Sequence, residues 1–387
     1  MPKGRLHLPL FLLAVLAGSI GEEPVLAADA EQGSEGEDDL YKQLAVYSEV
    51  LALVGRAYVD ETDAATLVLS SLEGAVDALN PLSLYIPPAE VDAYLAARPV
   101  AREHSGLMIL KERGVAYVMA VDEGSPAERA GIEVSQVVSK LQGRSTRGMP
   151  RWRIQQLLGS PVGTRLELEL LDSGDRYSAG FEVVEFAAPR PHIRTVRDVP
   201  VLRIPAFSEQ TPADVDRLLL EAGEKSLIVD LRGVAGGDPE AAYGVAERFA
   251  AGELGTLAGR HGALRHFAGP VPPIWSGPLA VLVSRGTQGA AEVLATVLRQ
   301  ACGARLVGER TFGHAGKTES IGLSSGALLE LTGAFYTGPD AKPLNGSLEP
   351  DLWIRPGSTL TAGEETDQPE RDEALEQAID LLLQADG

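Results

Sequence analysis

Apolar residues recur at two different spacings along this chain. In its amino-terminal part they follow the helical period, which predicts two amphipathic helices separated by a polar turn at Asp60 to Asp63. Pro87-Pro88 ends the segment that follows, and Ala89 to Leu95 predicts a short third helix. The positions that define the two long helices are Leu40, Leu44, Tyr47, Leu51, Val54 and Tyr58, then Leu69, Leu72, Val76 and Leu79.

Farther along the chain, short apolar runs bounded by turn residues indicate strands. From about His104 to Val184 short strands alternate with turns. Leu227 to Val229 is an apolar run typical of a parallel strand covered on both faces. Asp238 is placed to cap a helix whose first residue is Pro239. The chain ends with an amphipathic helix predicted over Asp372 to Leu383.

The stretch from Pro278 to Thr318 combines both patterns. Leu279 to Val283 predicts a buried strand, and the polar turn at Ser284 to Gln288 leads into a helix that starts near Thr287. A strand, a tight turn and a helix display a nucleophile in many α/β enzymes, because the turn residue lies beside exposed helix amides. The helical positions are Ala290, Val293, Leu294, Val297 and Leu298.

Composition indicates a globular, acidic protein. With 387 residues, of which 44% are hydrophobic, the chain can form two or three domains with real cores. Its formal charge of −21 argues against nucleic acid or an anionic lipid surface as a partner. Much of the acid lies in two tracts, Glu31 to Asp39 and Glu364 to Glu373, which predict solvated, flexible segments.

The first residues have the layout of a secretory signal peptide. Lys3 and Arg5 precede an apolar run from Leu8 to Ile20, and small residues follow at Ala27 and Ala28. We therefore expect cleavage and export to the periplasm or an equivalent space, the alternative being an uncleaved anchor. The single cysteine, Cys302, lies far from the cleavage site, so neither a lipoprotein nor an internal disulfide is expected.

Two motifs resemble a known family. The chain reads T-Q-G-A-A-E at Thr287 to Glu292 and G-E-R-T-F-G-H at Gly308 to His314. These segments resemble the core of the carboxy-terminal processing (tail-specific) serine peptidases, which read S-A-S-A-S-E and G-E-x-T-F-G-K-G-x-x-Q. In that family the middle serine is the nucleophile, the lysine its general base, and the glutamine orients the lysine. The resemblance places them at Gly289, His314 and Thr318.

These substitutions predict that no catalytic residue is intact, because glycine has no side-chain oxygen to form an acyl-enzyme. The family's D-L-R-x-N-P-G-G is similar to DLRGVAGG, which ends at Gly237. The resemblance implies an oxyanion hole built from the backbone amides of Gly237 and Ala290. Without an attacking atom, such donors could still hold a peptide carbonyl or carboxylate. The other interpretation is that the glycine-rich turns only pack helix against strand.

The segment at Ser125 to Gly143 resembles a PDZ domain, which binds an extended peptide as an added strand. The resemblance places the carboxylate-binding loop at Gly106, Leu107, Met108 and Ile109. Met108 replaces a glycine there, and its Cβ could narrow the site. Leu107 and Ile109 are expected either to line a peptide pocket or to pack in the core.

These patterns together predict an α/β (α+β) multidomain protein with a helical N-terminal cap, a PDZ domain and a ClpP/crotonase-like peptidase core. We expect no metal and no cofactor, because the histidines are scattered and phosphate loops are absent from the sequence. The predicted regions are a signal peptide (1–27), an acidic linker (28–39), a helical region (40–100), the PDZ domain (101–187), the peptidase-like core (188–356), and an acidic spacer with the C-terminal helix (357–387).

Three functions remain open. The first is a proteolytically inactive homologue that binds polypeptide C-termini or a related peptidase or adaptor. The second is an active serine-type endopeptidase in which a displaced hydroxyl, at Thr287 or Ser284, works with Lys317 or His314. The third is a structural envelope protein with a vestigial cleft. Helical caps of the family often mediate dimers, so a homodimer is one expected arrangement.

Overall fold

The computed structural model describes residues 34–172, 174–223, 226–355 and 372–385. The chain divides into two compact units, Met1–Val68 and Leu69–Gly387. The predicted signal peptide at 1–27, the first part of the predicted linker and the acidic spacer at 357–371 lie outside the described residues. Among the helices that are described, none has the length and apolar character needed to span a bilayer.

The first unit contains α1 (Ser34–Ala57), which begins inside the tract predicted as an acidic linker. Glutamate is a good helix former, so a helix can begin within this tract. The next helix, α2 (Ala64–Asp77), begins after Asp63. The carboxylate of Asp63 accepts hydrogen bonds from the amides of Ala65 and Thr66, at 3.2 and 3.1 Å.

We call residues 100–182 the β-domain. The elements before and within it are β1 (Leu84–Ile86), a 3₁₀ turn (Pro88–Glu90), α3 (Val91–Ala97), α4 (Val100–Ser105), β2 (Leu107–Glu112), β3 (Val115–Val121), α5 (Pro126–Arg129), β4 (Val137–Leu141), β5 (Arg144–Ser145), α6 (Arg151–Leu158), β6 (Arg165–Asp172) and β7 (Asp175–Glu182). Its six-stranded antiparallel sheet has the order β2-β3-β4-β6-β7, with β5 paired to β4.

The remaining elements belong to the core. They are β8 (His192–Val196), β9 (Val199–Arg203), α7 (Thr211–Ala222), β10 (Leu227–Asp230), α8 (Pro239–Ala246), β11 (Gly252–Gly259), β12 (Gly262–Gly269), β13 (Leu279–Val283), α9 (Ala290–Cys302), β14 (Arg305–Gly308), β15 (Gly316–Gly322), β16 (Leu328–Tyr336), β17 (Leu352–Trp353) and α10 (Glu373–Ala385). The core is built on a six-stranded sheet of order β17-β14-β13-β10-β9-β8. Only β8 runs antiparallel to its neighbour in this sheet.

Both faces of this parallel sheet are buried, as its apolar strands predict. Val229 and Val281 face a cluster that contains Leu294 of α9, whereas Ile228 and Leu282 face the other side. There α10 covers the sheet with Ala378 and Ile379, among others. A second, five-stranded sheet of order β1-β16-β11-β12, with β15 paired to β16, completes the core. The α/β class is therefore confirmed.

Several local predictions match the structure closely. The strand predicted at Leu279 to Val283 has those bounds, and the strand predicted at Leu227 to Val229 extends one residue further to Asp230. Asp238 caps α8, since its side chain accepts a hydrogen bond from the amide of Glu240 at 2.9 Å, and Pro239 is the first helical residue. Cys302 is half-buried at the end of α9, where its Sγ donates to the carbonyl of Phe249.

Candidate active site

The turn between β13 and α9 is held by its own hydroxyl group. Thr287 Oγ1 donates to the carbonyl of Leu231 at 2.9 Å and accepts from the amide of Ser284 at the same distance. These bonds keep the turn non-helical, so α9 begins at Ala290 and not near Thr287 as predicted. The turn therefore ends at Gly289, directly before the first amides of the helix, which have no partner within the helix itself.

Gly289 has a backbone conformation that only glycine adopts without strain, with φ +66° and ψ −116°. A Cβ added here would lie 3.6 Å from Gly236 Cα, its nearest neighbour, which is an ordinary van der Waals contact. The site therefore has room for a side chain. What it lacks is the side-chain oxygen.

Glu292 joins the two motif segments from the first turn of α9. Its side chain is 1% exposed and accepts from the amides of Gly289, Gly313 and His314, at 3.1, 2.6 and 2.9 Å. The hydroxyl of Thr311 also donates to it, at 2.5 Å. Burial raises the pKa of this carboxyl above its usual range. Glu292 thus fixes the turn at Gly289 against the loop that carries His314, a role the motif alone did not assign.

The side chain of Gln288 connects the glycine-rich loop to the same assembly. Its Oε1 accepts from the amide of Gly236 at 3.0 Å, and its Nε2 donates to the carbonyl of His314 at 3.1 Å. Within the described residues the amides of Gly237 and Ala290 have no hydrogen-bond partner. The two donors predicted for an oxyanion hole are therefore free and lie on neighbouring loops.

His314 is buried, with 5% of its surface exposed. Its Nε2 lies 3.2 Å from Thr332 Oγ1, and its ring packs edge-on against Phe335 with the centroids 5.2 Å apart. Burial, with a smaller contribution from the charge of Arg151, lowers the pKa of His314 to about 4. The imidazole is therefore neutral at pH 7. Thr332 is a site residue that sequence reasoning missed.

Folding stability should depend on pH through His314. Because its pKa falls from 6.5 to about 4 on folding, the unfolded chain binds the extra proton in this interval. The contribution of His314 to stability is then fully present above pH 6.5 and is lost as pH falls toward 4, by about 3 kcal/mol. We expect His314→Gln to lose less stability over the same interval, as measured by urea unfolding at several pH values. The exposed His261→Gln should follow the unmodified protein, and superimposable curves for His314→Gln would contradict the assignment.

Comparison with known proteins shows which proteins this chain is similar to. Residues 198–354 match the sequence profile of peptidase family S41. The chain is 27% identical over 299 residues to the carboxy-terminal processing protease CtpA of Bacillus subtilis, covering 74% of this chain and 63% of CtpA. It is 24% identical over 334 residues to the carboxy-terminal-processing protease of Bartonella bacilliformis, covering 83% and 77%. The chain is a homologue of the carboxy-terminal processing serine peptidases.

A solved structure shares the fold of this homologue. The photosystem II D1 C-terminal processing protease superposes with a TM-score of 0.65 and 23% identity, covering 87% of this chain and 96% of that protein. The S41 segment, residues 198–354, contains both motif segments and the glycine-rich loop. The family resemblance and the peptidase fold predicted from the sequence are thus confirmed.

Thr318, at the glutamine position of the S41 pattern, and Lys317, the alternative base, lie on β15. Lys317 and Thr318 are both exposed, and they pair in register with Ala334 and Thr332 of β16. The register shifts between Lys317 and Thr318, yet Lys317 stays on the exposed side. Of the family's three positions, Gly289 and the His314 backbone are brought together by Glu292, and no contact of Thr318 with either appears among the described residues.

In this S41 homologue the predicted peptide loop is part of the β-domain core. Leu107 and Ile109 are 1% and 2% exposed and pack in one cluster with Ile154 and Leu158 of α6. Of the two expectations for these side chains, core packing therefore describes the structure. Met108 is half-buried and packs in a separate cluster that contains Ala235 of the glycine-rich loop.

Both the lack of space for a Cβ and the backbone conformation require glycine at position 106. Its φ is +71°, and an added Cβ would lie 2.0 Å from Ser125 Cβ. Ser125 caps α5 by accepting from the amide of Glu128, so this neighbour cannot move freely. We expect Gly106→Ala to cost about 3 kcal/mol of unfolding free energy. Gly114→Ala has a similar φ of +82° but open space, and should cost only about 1 kcal/mol. Equal losses in urea unfolding would contradict the steric argument.

Arg102 links the β-domain to the glycine-rich loop of the S41 segment. Its Nε donates to both carboxylate oxygens of Asp122, at 3.0 and 2.8 Å, and its Nη1 donates to the carbonyl of Ala235. A second link joins Arg203 of β9 to Glu123 at 2.7 Å. The loop that carries Gly237 is therefore held from the β-domain side as well as by Gln288. No cluster of His, Cys, Asp and Glu suited to a metal occurs among the described residues.

Proposed function

We propose that this protein is an exported, proteolytically inactive homologue of the carboxy-terminal processing peptidases that binds polypeptide C-termini and so regulates or scaffolds proteolysis. The observation that carries the proposal is the absence of any side-chain oxygen at Gly289, the position from which the family's serine attacks. The resemblance to this family also suggests a related peptidase or an adaptor as a partner.

The neighbouring hydroxyls support inactivity because both already bond to the backbone. Thr287 Oγ1 bonds to the carbonyl of Leu231 and the amide of Ser284. Ser284 Oγ accepts from the amides of Gly233 and Gly286, at 3.0 and 3.3 Å. Removing the Thr287 hydroxyl proton would break its bond to the carbonyl of Leu231, and Ser284 Oγ already accepts two amide hydrogen bonds. Neither residue is therefore well placed to replace the missing serine.

The free amides of Gly237 and Ala290 support a binding role. Both remain available whatever side chain stands at Gly289, because they belong to the backbone. Donors at the start of a helix favour a carbonyl oxygen or a carboxylate. A peptide could thus be held in the cleft without being cut. We also propose that the β-domain is a PDZ domain and that a second copy of the chain can bind through the helical region.

The test uses purified full-length protein and peptides with a free or an amidated C-terminus. We expect binding of the free-carboxylate peptide, weaker binding of its amide, and no cleavage of casein or of a tail-bearing unfolded substrate. Affinity that does not change on amidation would refute recognition of the C-terminus. Cleavage of either substrate by the purified protein would refute inactivity.

The second candidate is an active endopeptidase with a displaced hydroxyl. It is favoured by one observation: the neutral His314 imidazole lies 3.2 Å from the hydroxyl of Thr332, within reach for proton transfer. Cleavage that survives Gly289→Ala but is abolished by Thr332→Val and by His314→Gln would support it. Lys317→Ala tests the same mechanism with Lys317 in place of His314 as the general base. The side chain of Lys317 is exposed.

A further inference from the structure

A cavity of about 410 Å³ lies between the β-domain and the S41 segment. On the β-domain side Val115, Tyr117 and Val134 line it, and on the core side Arg285, Arg310 and Phe312. The valines, the tyrosine and the phenylalanine make an apolar wall, with the arginines beside it. Cavities of this size and mixed character accommodate an apolar side chain together with one charged group.

The cavity contrasts with the strand edge at which the sequence places peptide binding. There Leu107 and Ile109 are 1% and 2% exposed, so their side chains are already covered by the β-domain's own residues. Val115, by comparison, is 47% exposed, and Tyr117, Val134 and Phe312 are half-buried. Apolar surface that is still open to a ligand is therefore found in the cavity.

Arg285 places a positive charge at the cavity, although the carboxylate of Glu309 accepts a hydrogen bond from its backbone amide at 3.2 Å. Its side chain is exposed and makes no ion pair within the described residues. Arg310, in contrast, pairs with Glu349 at 2.5 Å, and Glu112 on the cavity wall lies 3.9 Å from Arg113. A guanidinium without an ion-pair partner beside an apolar wall favours a ligand that carries a carboxylate.

The cavity is joined to the loops around Gly289. The amide of Phe312 donates to the carbonyl of Thr287 at 3.0 Å. Thr311, the preceding residue, donates its hydroxyl to Glu292 at 2.5 Å. A ligand in the cavity therefore contacts the segments that carry Gly289 and His314.

We propose that this cavity, and not the strand edge at Gly106 to Ile109, receives the last residue of a bound polypeptide. The terminal carboxylate lies on Arg285, and an apolar terminal side chain packs against Val115, Tyr117 and Phe312. This inference rests on the proposed function, since it locates the C-terminus that the protein is proposed to bind.

The experiment measures Kd by fluorescence anisotropy with a labelled peptide that ends in leucine, as free acid and as amide. Arg285→Glu should weaken binding of the free acid by about tenfold or more and bring it to the level of the amide. The matched control is Arg260→Glu, an exposed arginine in the turn between β11 and β12, which should leave both affinities unchanged. Val115→Trp should weaken both peptides by filling the cavity. Thermal unfolding verifies that each variant is folded.

A photoreactive benzoylphenylalanine as the last peptide residue gives a readout that needs no variant. Adducts within residues 115–119 or 310–312 support the cavity. Adducts within residues 106–109, or an Arg285→Glu variant that binds the free acid as tightly as the unmodified protein, overturn this inference but leave C-terminal recognition intact. If the unmodified protein binds neither peptide, the proposed function itself is wrong, and the inference with it.

Discussion

The variant Gly289→Ser, His314→Lys, Thr318→Gln is expected to cleave unfolded protein and to be labelled covalently at residue 289 by a serine-directed fluorophosphonate. The added Cβ meets only ordinary contacts, with Gly236 Cα at 3.6 Å, but the φ of +66° imposes backbone strain of about 1–3 kcal/mol. The burial and the Arg151 charge that lower the pKa of His314 should also lower that of a lysine there, making it a neutral base. Since general-base catalysis contributes about 10²–10⁴-fold, casein hydrolysis should exceed background by at least about 100-fold.

The matched control for this gain of activity is Gly289→Ala, His314→Lys, Thr318→Gln. It has the same Cβ and the same base but no attacking oxygen, so it should be neither labelled nor active. A serine variant that unfolds at the same temperature as the alanine control, yet reacts with no probe, would show that the loops no longer present residue 289 to a substrate. The inference that Gln288, Glu292 and the free amides preserve the geometry of the peptidase site would then be wrong.

Glu292→Ala is expected to destabilise the protein by about 4 kcal/mol. The carboxylate is 1% exposed and accepts from the amides of Gly289, Gly313 and His314 and from the hydroxyl of Thr311. Truncation leaves these buried donors without an acceptor, and each such group costs about 1–3 kcal/mol when water cannot replace the partner. Access of water to the loops should keep the total below the full sum. Urea unfolding measures the loss.

Two further substitutions make the Glu292 prediction specific. Glu292→Gln keeps the shape but turns an N–H group toward N–H or O–H donors, so we expect a loss of about 2 kcal/mol. Glu309→Ala removes a half-buried glutamate nearby that accepts one amide bond, from Arg285 at 3.2 Å, and should cost less than about 1 kcal/mol. If Glu292→Ala costs no more than Glu309→Ala, Glu292 does not organise the loops.

Local features that depend only on neighbouring residues in the chain could be predicted from the sequence. The apolar run Leu279–Val283 has the bounds of β13, and Asp238-Pro239 starts α8. The motif order places a glycine where the family has its serine, and Gly289 ends the turn as the motif indicates. Such local predictions match the structure because backbone preferences and strand burial act over a few residues. The start of α9 was misplaced because the hydroxyl of Thr287 bonds to a distant carbonyl, that of Leu231.

Only the tertiary structure decided the contacts between segments that are far apart in the chain. His314 meets Thr332 across 18 residues, and Arg102 reaches Ala235 across 133. The burial of Leu107 and Ile109, and the open cavity beside Arg285, also depend on how the β-domain packs within itself and against the core. The sequence by itself determined that residue 289 has no side-chain oxygen, because that is a property of one residue. Which groups surround that position was decided by folding, because burial and hydrogen bonding are properties of neighbours in space.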